Sequence, residues 1–96
     1  MARILIVDDS PDVRLALATI LEDTGHEIVE AEDGDQVFDL AVAQNPDLVL
    51  LDVMMPRVNG FDALATLKAD TRTNPIPVIM VTAQGRPEDM TMARSL

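Results

Sequence analysis

The stretch Ile4-Leu5-Ile6-Val7-Asp8-Asp9-Ser10-Pro11 decides the fold. Four apolar residues run without alternation, the pattern of a strand covered on both faces. Two acids end the run. Ser10 then suits a helix N-cap and Pro11 the first helical position. A buried strand thus passes through an acidic turn straight into a helix. Val13, Leu17, Ile20 and Leu21 recur at helical spacing behind it, and Gly25 can close the helix in a left-handed conformation.

The same unit repeats outward. Ile28 to Ala31 is a weaker run between Glu27 and Glu32, as expected of an edge strand. Leu48-Val49-Leu50-Leu51 and Val78-Ile79-Met80-Val81 are again continuous. A second helix is predicted from about Asp35 to Gln44, with Val37, Phe38 and Ala41 inward and Asn45-Pro46-Asp47 ending it. A third begins near Gly60 with Phe61, Leu64 and Leu67, and Asp70 to Pro77 reads as a loop. A fourth is expected from Arg86-Pro87-Glu88. The order β-α-β-α-β-α-β-α with right-handed crossovers makes an α/β domain, a doubly wound parallel sheet with helices on both faces.

The 96 residues support one domain over 1–96, with 48% apolar and 25% charged residues arguing against disorder. Without cysteine there is no disulfide, thiolate zinc site or thiol nucleophile. No apolar run is long enough to span a membrane, and the run after Met-Ala-Arg is too short for a signal peptide, so a cytoplasmic chain is expected. The net charge of −10 disfavours binding to nucleic acid or to an anionic membrane surface.

Ligands of such sheets bind beyond the carboxyl ends of the strands, where strand order reverses. Asp8 and Asp9 follow the first run, Asp52 the third and Thr82 the fourth. If the first and third strands are neighbours, three carboxylates converge. Two unit charges about 5 Å apart cost about 3 kcal/mol at an effective dielectric of 20. A cation would relieve that cost, and oxygen-only donors suit a hard ion such as Mg²⁺. A carboxylate beside such an ion is suited to phosphoryl transfer, with the Thr82 hydroxyl able to bind a phosphoryl oxygen. The plainer account is that acids after strands cap helices and line solvated turns. It explains each acid singly and their joint placement less well. His26 reads as a solvated turn residue, the methionines as core or loop filling, and Lys68 and Arg72 as surface cations.

Asp8-Asp9, Asp52-Val53-Met54-Met55-Pro56, Gly60 four residues beyond that proline, and Val81-Thr82-Ala83 together resemble the receiver domain of bacterial two-component response regulators, in order and spacing along the whole chain. The resemblance implies a flavodoxin-like strand order 2-1-3-4-5 and a phosphoprotein of phosphorelay signalling rather than a turnover enzyme, beyond transient self-phosphorylation and dephosphorylation. It implies Asp52 as phosphoacceptor, and Mg²⁺ held by Asp9, Asp52 and the backbone carbonyl of Met54, with Asp8 acting through water. Thr82 would bind the phosphoryl group and switch, Ala83 would leave it room, and Pro56 and Gly60 would shape the loop into the third helix. The implied partner is a sensor histidine kinase or a histidine phosphotransfer protein.

One departure stands out. Receivers carry a fifth strand, an adjoining lysine and proline, and a fifth helix, and no counterpart follows Thr82. The expectation is therefore four βα units with the fifth missing, a receiver incomplete at its C-terminus. The lysine contact it would lack is worth about 1.5–3 kcal/mol. An open sheet edge at Val78–Val81 would then invite self-association. The alternative function is a truncated receiver-like scaffold, folded or oligomeric but inactive as a switch. A haloacid-dehalogenase-type phosphatase is disfavoured, because it wants a second Asp where Met54 stands and places its nucleophile after the first strand.

Overall fold

The computed structural model describes residues 2–53 and 59–82, and the backbone of 91–95. Strand β1 (Arg3–Val7) leads through Ser10 into α1 (Pro11–Asp23), followed by β2 (Glu27–Ala31). A single 3-10 turn (Gly34–Gln36) opens α2 (Val37–Gln44), and β3 (Leu48–Asp52), α3 (Gly60–Ala69) and β4 (Val78–Thr82) complete the repeat. A further strand, β5, spans Thr91–Ser95.

Local signals explain the boundaries. Ser10 sits in extended backbone and its side chain accepts from the Val13 amide at 3.4 Å, so it is the N-cap of α1, with Pro11 behind it. Gly25 takes the left-handed φ of +88° after α1, and Asn45 does the same at 47° after α2. Asn59 caps α3 by accepting from the Asp62 amide at 2.9 Å.

The strand order is β2-β1-β3-β4-β5. β1 pairs in parallel with both β2 and β3, and β3 with β4. The continuous apolar runs are buried on two faces, as their composition requires. Leu5, Val7, Val49 and Leu51 pack with Val37 and Ala41 of α2 and Ala63 and Leu67 of α3. Ile4, Ile6, Leu50 and Val81 pack with Val13, Leu17 and Ala18 of α1 on the other face. This is the flavodoxin-like, doubly wound α/β architecture.

Four expectations change. Ile20 is 59% exposed, because the α1 stripe runs through Val13, Leu17 and Ala18. Phe61 is 61% exposed: the buried stripe of α3 is Gly60, Ala63 and Leu67, one residue out of phase with it. His26 has a partner after all, its Nδ1 accepting from the Ala2 amide at 3.1 Å. The largest change is at the sheet edge. β5 pairs antiparallel with β4, in the register Val78↔Ser95 to Thr82↔Thr91. The fifth position is thus filled by a strand of opposite direction rather than by a βα unit. The edge at Val78–Val81 is covered by the chain itself, which removes the template expected to drive self-association. The helix expected from Arg86-Pro87-Glu88 starts outside the described residues.

Candidate functional site

The sheet register builds the site. Val7 is opposite Leu51, so the next residues, Asp8 and Asp52, face each other across adjacent parallel strands. Asp9 follows at the mouth. One oxygen from each of Asp8, Asp9 and Asp52 lies within 4.8 Å of the others. Asp8 and Asp52 are 2% and 4% exposed, whereas Asp9 is exposed. The site therefore has two carboxyls at its floor and one at its rim.

Its electrostatics follow from that burial. Desolvation pushes the Asp8 carboxyl above its ordinary value of 3.8. The Ser10 amide, which donates to Asp8 Oδ1 at 2.8 Å, opposes this, the Asp9 charge adds to it, and Arg14 and a side-chain hydrogen bond with Asp52 oppose it. Two buried carboxyls with a third at the rim repel one another, and a cation would relieve that repulsion. That is the behaviour of a cation site built from hard oxygen donors, and the trio can hold a metal ion.

Gly60 sets the second wall. Its amide donates to the Val53 carbonyl at 2.9 Å, bringing the N-terminus of α3 to the end of β3. A Cβ there would overlap the Asp52 carbonyl and stand 2.8 Å from Val53 Cα, so only glycine permits the approach. The Val53 amide in turn donates to the Val81 carbonyl at 3.1 Å, tying the Asp52 turn to β4.

The structure thus brings Asp8, Asp9 and Asp52 together and puts the backbone of Thr82 at the end of neighbouring β4. The Thr82 side chain, Ala83, Met54 and Pro56 lie outside the described residues. The sequence reading passed over Arg14, whose guanidinium donates to the Asp8 carbonyl at 2.5 Å and to Glu30 Oε1 at 3.3 Å.

The chain is similar to known proteins. The family profile described as the response regulator receiver domain matches residues 4–96. The chain is 47% identical over 89 residues to the protein PilH of Pseudomonas aeruginosa, covering 93% of this chain and 74% of that one. It is 44% identical to the DNA-binding dual master transcriptional regulator RpaA of Synechocystis, of which it covers 37%. It superimposes with a TM-score of 0.84 and 40% identity on the N-terminal domain of a response regulator receiver protein from Methanoculleus marisnigri, covering 93% of this chain and 73% of that one. Among the described residues, no helix is long and apolar enough to cross a membrane.

Proposed function

The chain belongs to the response regulator receiver domain family, and from that premise we propose that it accepts a phosphoryl group on Asp52 from a phosphohistidine, with Mg²⁺. Receiver domains are signalling domains that interact with histidine kinases and are not turnover enzymes. The observation that carries the reading is the convergence of three carboxylates within 4.8 Å at the ends of β1 and β3.

Asp8, Asp9 and Asp52 would hold the ion, with Met54 offering its carbonyl. The ion supplies charge neutralisation for the carboxylates and the incoming phosphoryl oxygens. A carboxylate oxygen of Asp52 forms the new O–P bond. The N–P bond of the donor breaks, and its electron pair leaves with the imidazole, which takes up a proton. Asp8 and Asp9 hold negative charge beside the nucleophile. Gly60 keeps the wall behind Asp52 fixed. Thr82 is proposed to bind a phosphoryl oxygen and Ala83 to leave it room. The kinase or phosphotransfer partner, a domain spanning 1–96 and a cytoplasmic setting belong to the same proposal.

A second reading, a receiver-like scaffold inactive as a switch, is favoured by one observation. Lys68, the single lysine of the chain, donates from Nζ to the carbonyls of Asn74 and Ile76, at the end of α3 remote from Gly60. Intact mass after incubation with a small acyl phosphate and Mg²⁺ separates the two. A gain of one phosphoryl group, absent without the ion and absent in Asp52→Asn, supports the phosphoacceptor. No gain from folded protein supports the scaffold.

A further inference from the structure

Asp8 is the first residue past the β1 ladder. Its amide is held by β2, donating to the Ala31 carbonyl at 3.1 Å. Its carbonyl has left the sheet, and Arg14 takes it, with Nη1 at 2.5 Å. The Arg14 side chain is only 15% exposed, and its Nε is held by Glu30 of β2 at 3.3 Å. Arg14 is itself fixed to the acidic turn, since its amide donates to the Ser10 carbonyl at 3.1 Å. One guanidinium therefore joins β2, the first turn of α1 and the Asp8–Asp9 peptide.

That peptide is planar. Fixing the Asp8 carbonyl oxygen also fixes the Asp9 nitrogen, and leaves Asp9 only its φ and side-chain rotation with which to aim its carboxylate. Asp9 is the exposed member of the trio, and among the described residues no side chain holds its carboxylate. Its direction is set through the backbone.

We propose that Arg14 is a positioning residue of the acidic site, holding the Asp8–Asp9 peptide so that the three carboxylates present themselves together to a divalent cation. The proposal rests on the phosphoacceptor reading above. It requires the fork of the guanidinium, because one group must reach both the Asp8 carbonyl and Glu30; a lysine ammonium offers the charge without the fork.

Charge and position predict opposite results, which makes the role testable. A cation near a cation site repels the ion, so on charge alone Arg14→Gln would tighten Mg²⁺ binding and Arg14→Lys would leave it unchanged. Positioning predicts weaker binding in both. The experiment is calorimetric titration of Mg²⁺ into the full chain, wild type beside Arg14→Lys and Arg14→Gln, with thermal unfolding of each without metal. The expected result is a dissociation constant raised about tenfold in both variants, the usual scale for loss of a group that orients a metal ligand, with cooperative unfolding retained. Wild-type affinity in Arg14→Lys, or tighter binding in Arg14→Gln, overturns the positioning role while leaving the phosphoacceptor reading intact. A variant that does not unfold cooperatively without metal assigns Arg14 to folding and also overturns it. Wild-type protein that binds no Mg²⁺ overturns both.

Discussion

Gly60 lies so close to Asp52 that the two backbones leave no room for a methyl group: a Cβ on Gly60 would overlap the Asp52 carbonyl and stand 2.8 Å from Val53 Cα. Gly60 is the first residue of α3. In a helix interior, glycine to alanine ordinarily stabilises by about 1 kcal/mol. Here the backbone would have to move, and overpacking of this kind costs about 1–3 kcal/mol. Gly60→Ala is therefore expected to lower the urea midpoint rather than raise it, and to weaken Mg²⁺ binding through displacement of Asp52. A stabilised Gly60→Ala protein would show that the wall can yield.

The Asp8 carboxyl makes a prediction about pH. Burial raises its value in the folded chain above 3.8, so the folded state binds its proton more tightly than the unfolded state. Its contribution to stability is full below 3.8 and declines as pH rises through the raised folded value. Asp70 runs the other way: the Arg72 hydrogen bond lowers it, so its contribution is lost as pH falls from 3.8 through the lowered value. The two windows lie on opposite sides of 3.8. Metal-free Asp8→Asn should gain on wild type as pH rises above 3.8, then keep a constant advantage. Paired melting curves without metal check this, and parallel pH profiles for the two proteins would refute it.

Mg²⁺ should raise the melting temperature, because it binds the folded trio and relieves the repulsion among its carboxylates. Ion at one hundred times its dissociation constant stabilises by about 2.7 kcal/mol. Asp52→Asn should lose most of that gain. An unchanged wild-type melting curve at millimolar Mg²⁺ would mean that the carboxylates do not assemble into a cation site.

The strands were legible because burial on both faces leaves an uninterrupted apolar run, and β1, β3 and β4 each begin or end within one residue of the run that announced them. The acidic trio was legible for a related reason. Once the runs are read as adjacent parallel strands, Val7 beside Leu51 puts Asp8 beside Asp52. Phe61 and Ile20 were misplaced because apolar spacing marks a helix without fixing its phase, and alanine and glycine take the buried positions instead. Thr91-Met92-Ala93-Arg94-Ser95 carries neither an apolar run nor clear alternation. Its strand state comes from pairing with β4, a tertiary effect that local propensity does not encode. Arg14 was missed because its partner is a backbone carbonyl, which no side-chain pattern advertises.

The end of α3 offers the last test. Lys68 and Arg72 read as surface cations, yet the loop after α3 is held by side chains reaching backbone oxygens. Thr73 is fully buried, and its hydroxyl donates to the Leu67 carbonyl at 2.6 Å. Leu67 is in the last turn of α3, where carbonyls lack helical partners. Lys68 Nζ adds bonds to Asn74 and Ile76 at 3.1 and 2.9 Å. Thr73→Val keeps the shape and leaves the Leu67 carbonyl buried without its donor, a loss of about 1–3 kcal/mol. Lys68→Met removes a more exposed set of bonds and should cost about 0.5–1.5 kcal/mol. Urea unfolding of both variants, with Thr73→Ser as the hydroxyl-retaining control, ranks the effects. A wild-type midpoint in Thr73→Val beside a lowered one in Thr73→Ser would show that the methyl group, not the buried hydrogen bond, is what Thr73 contributes.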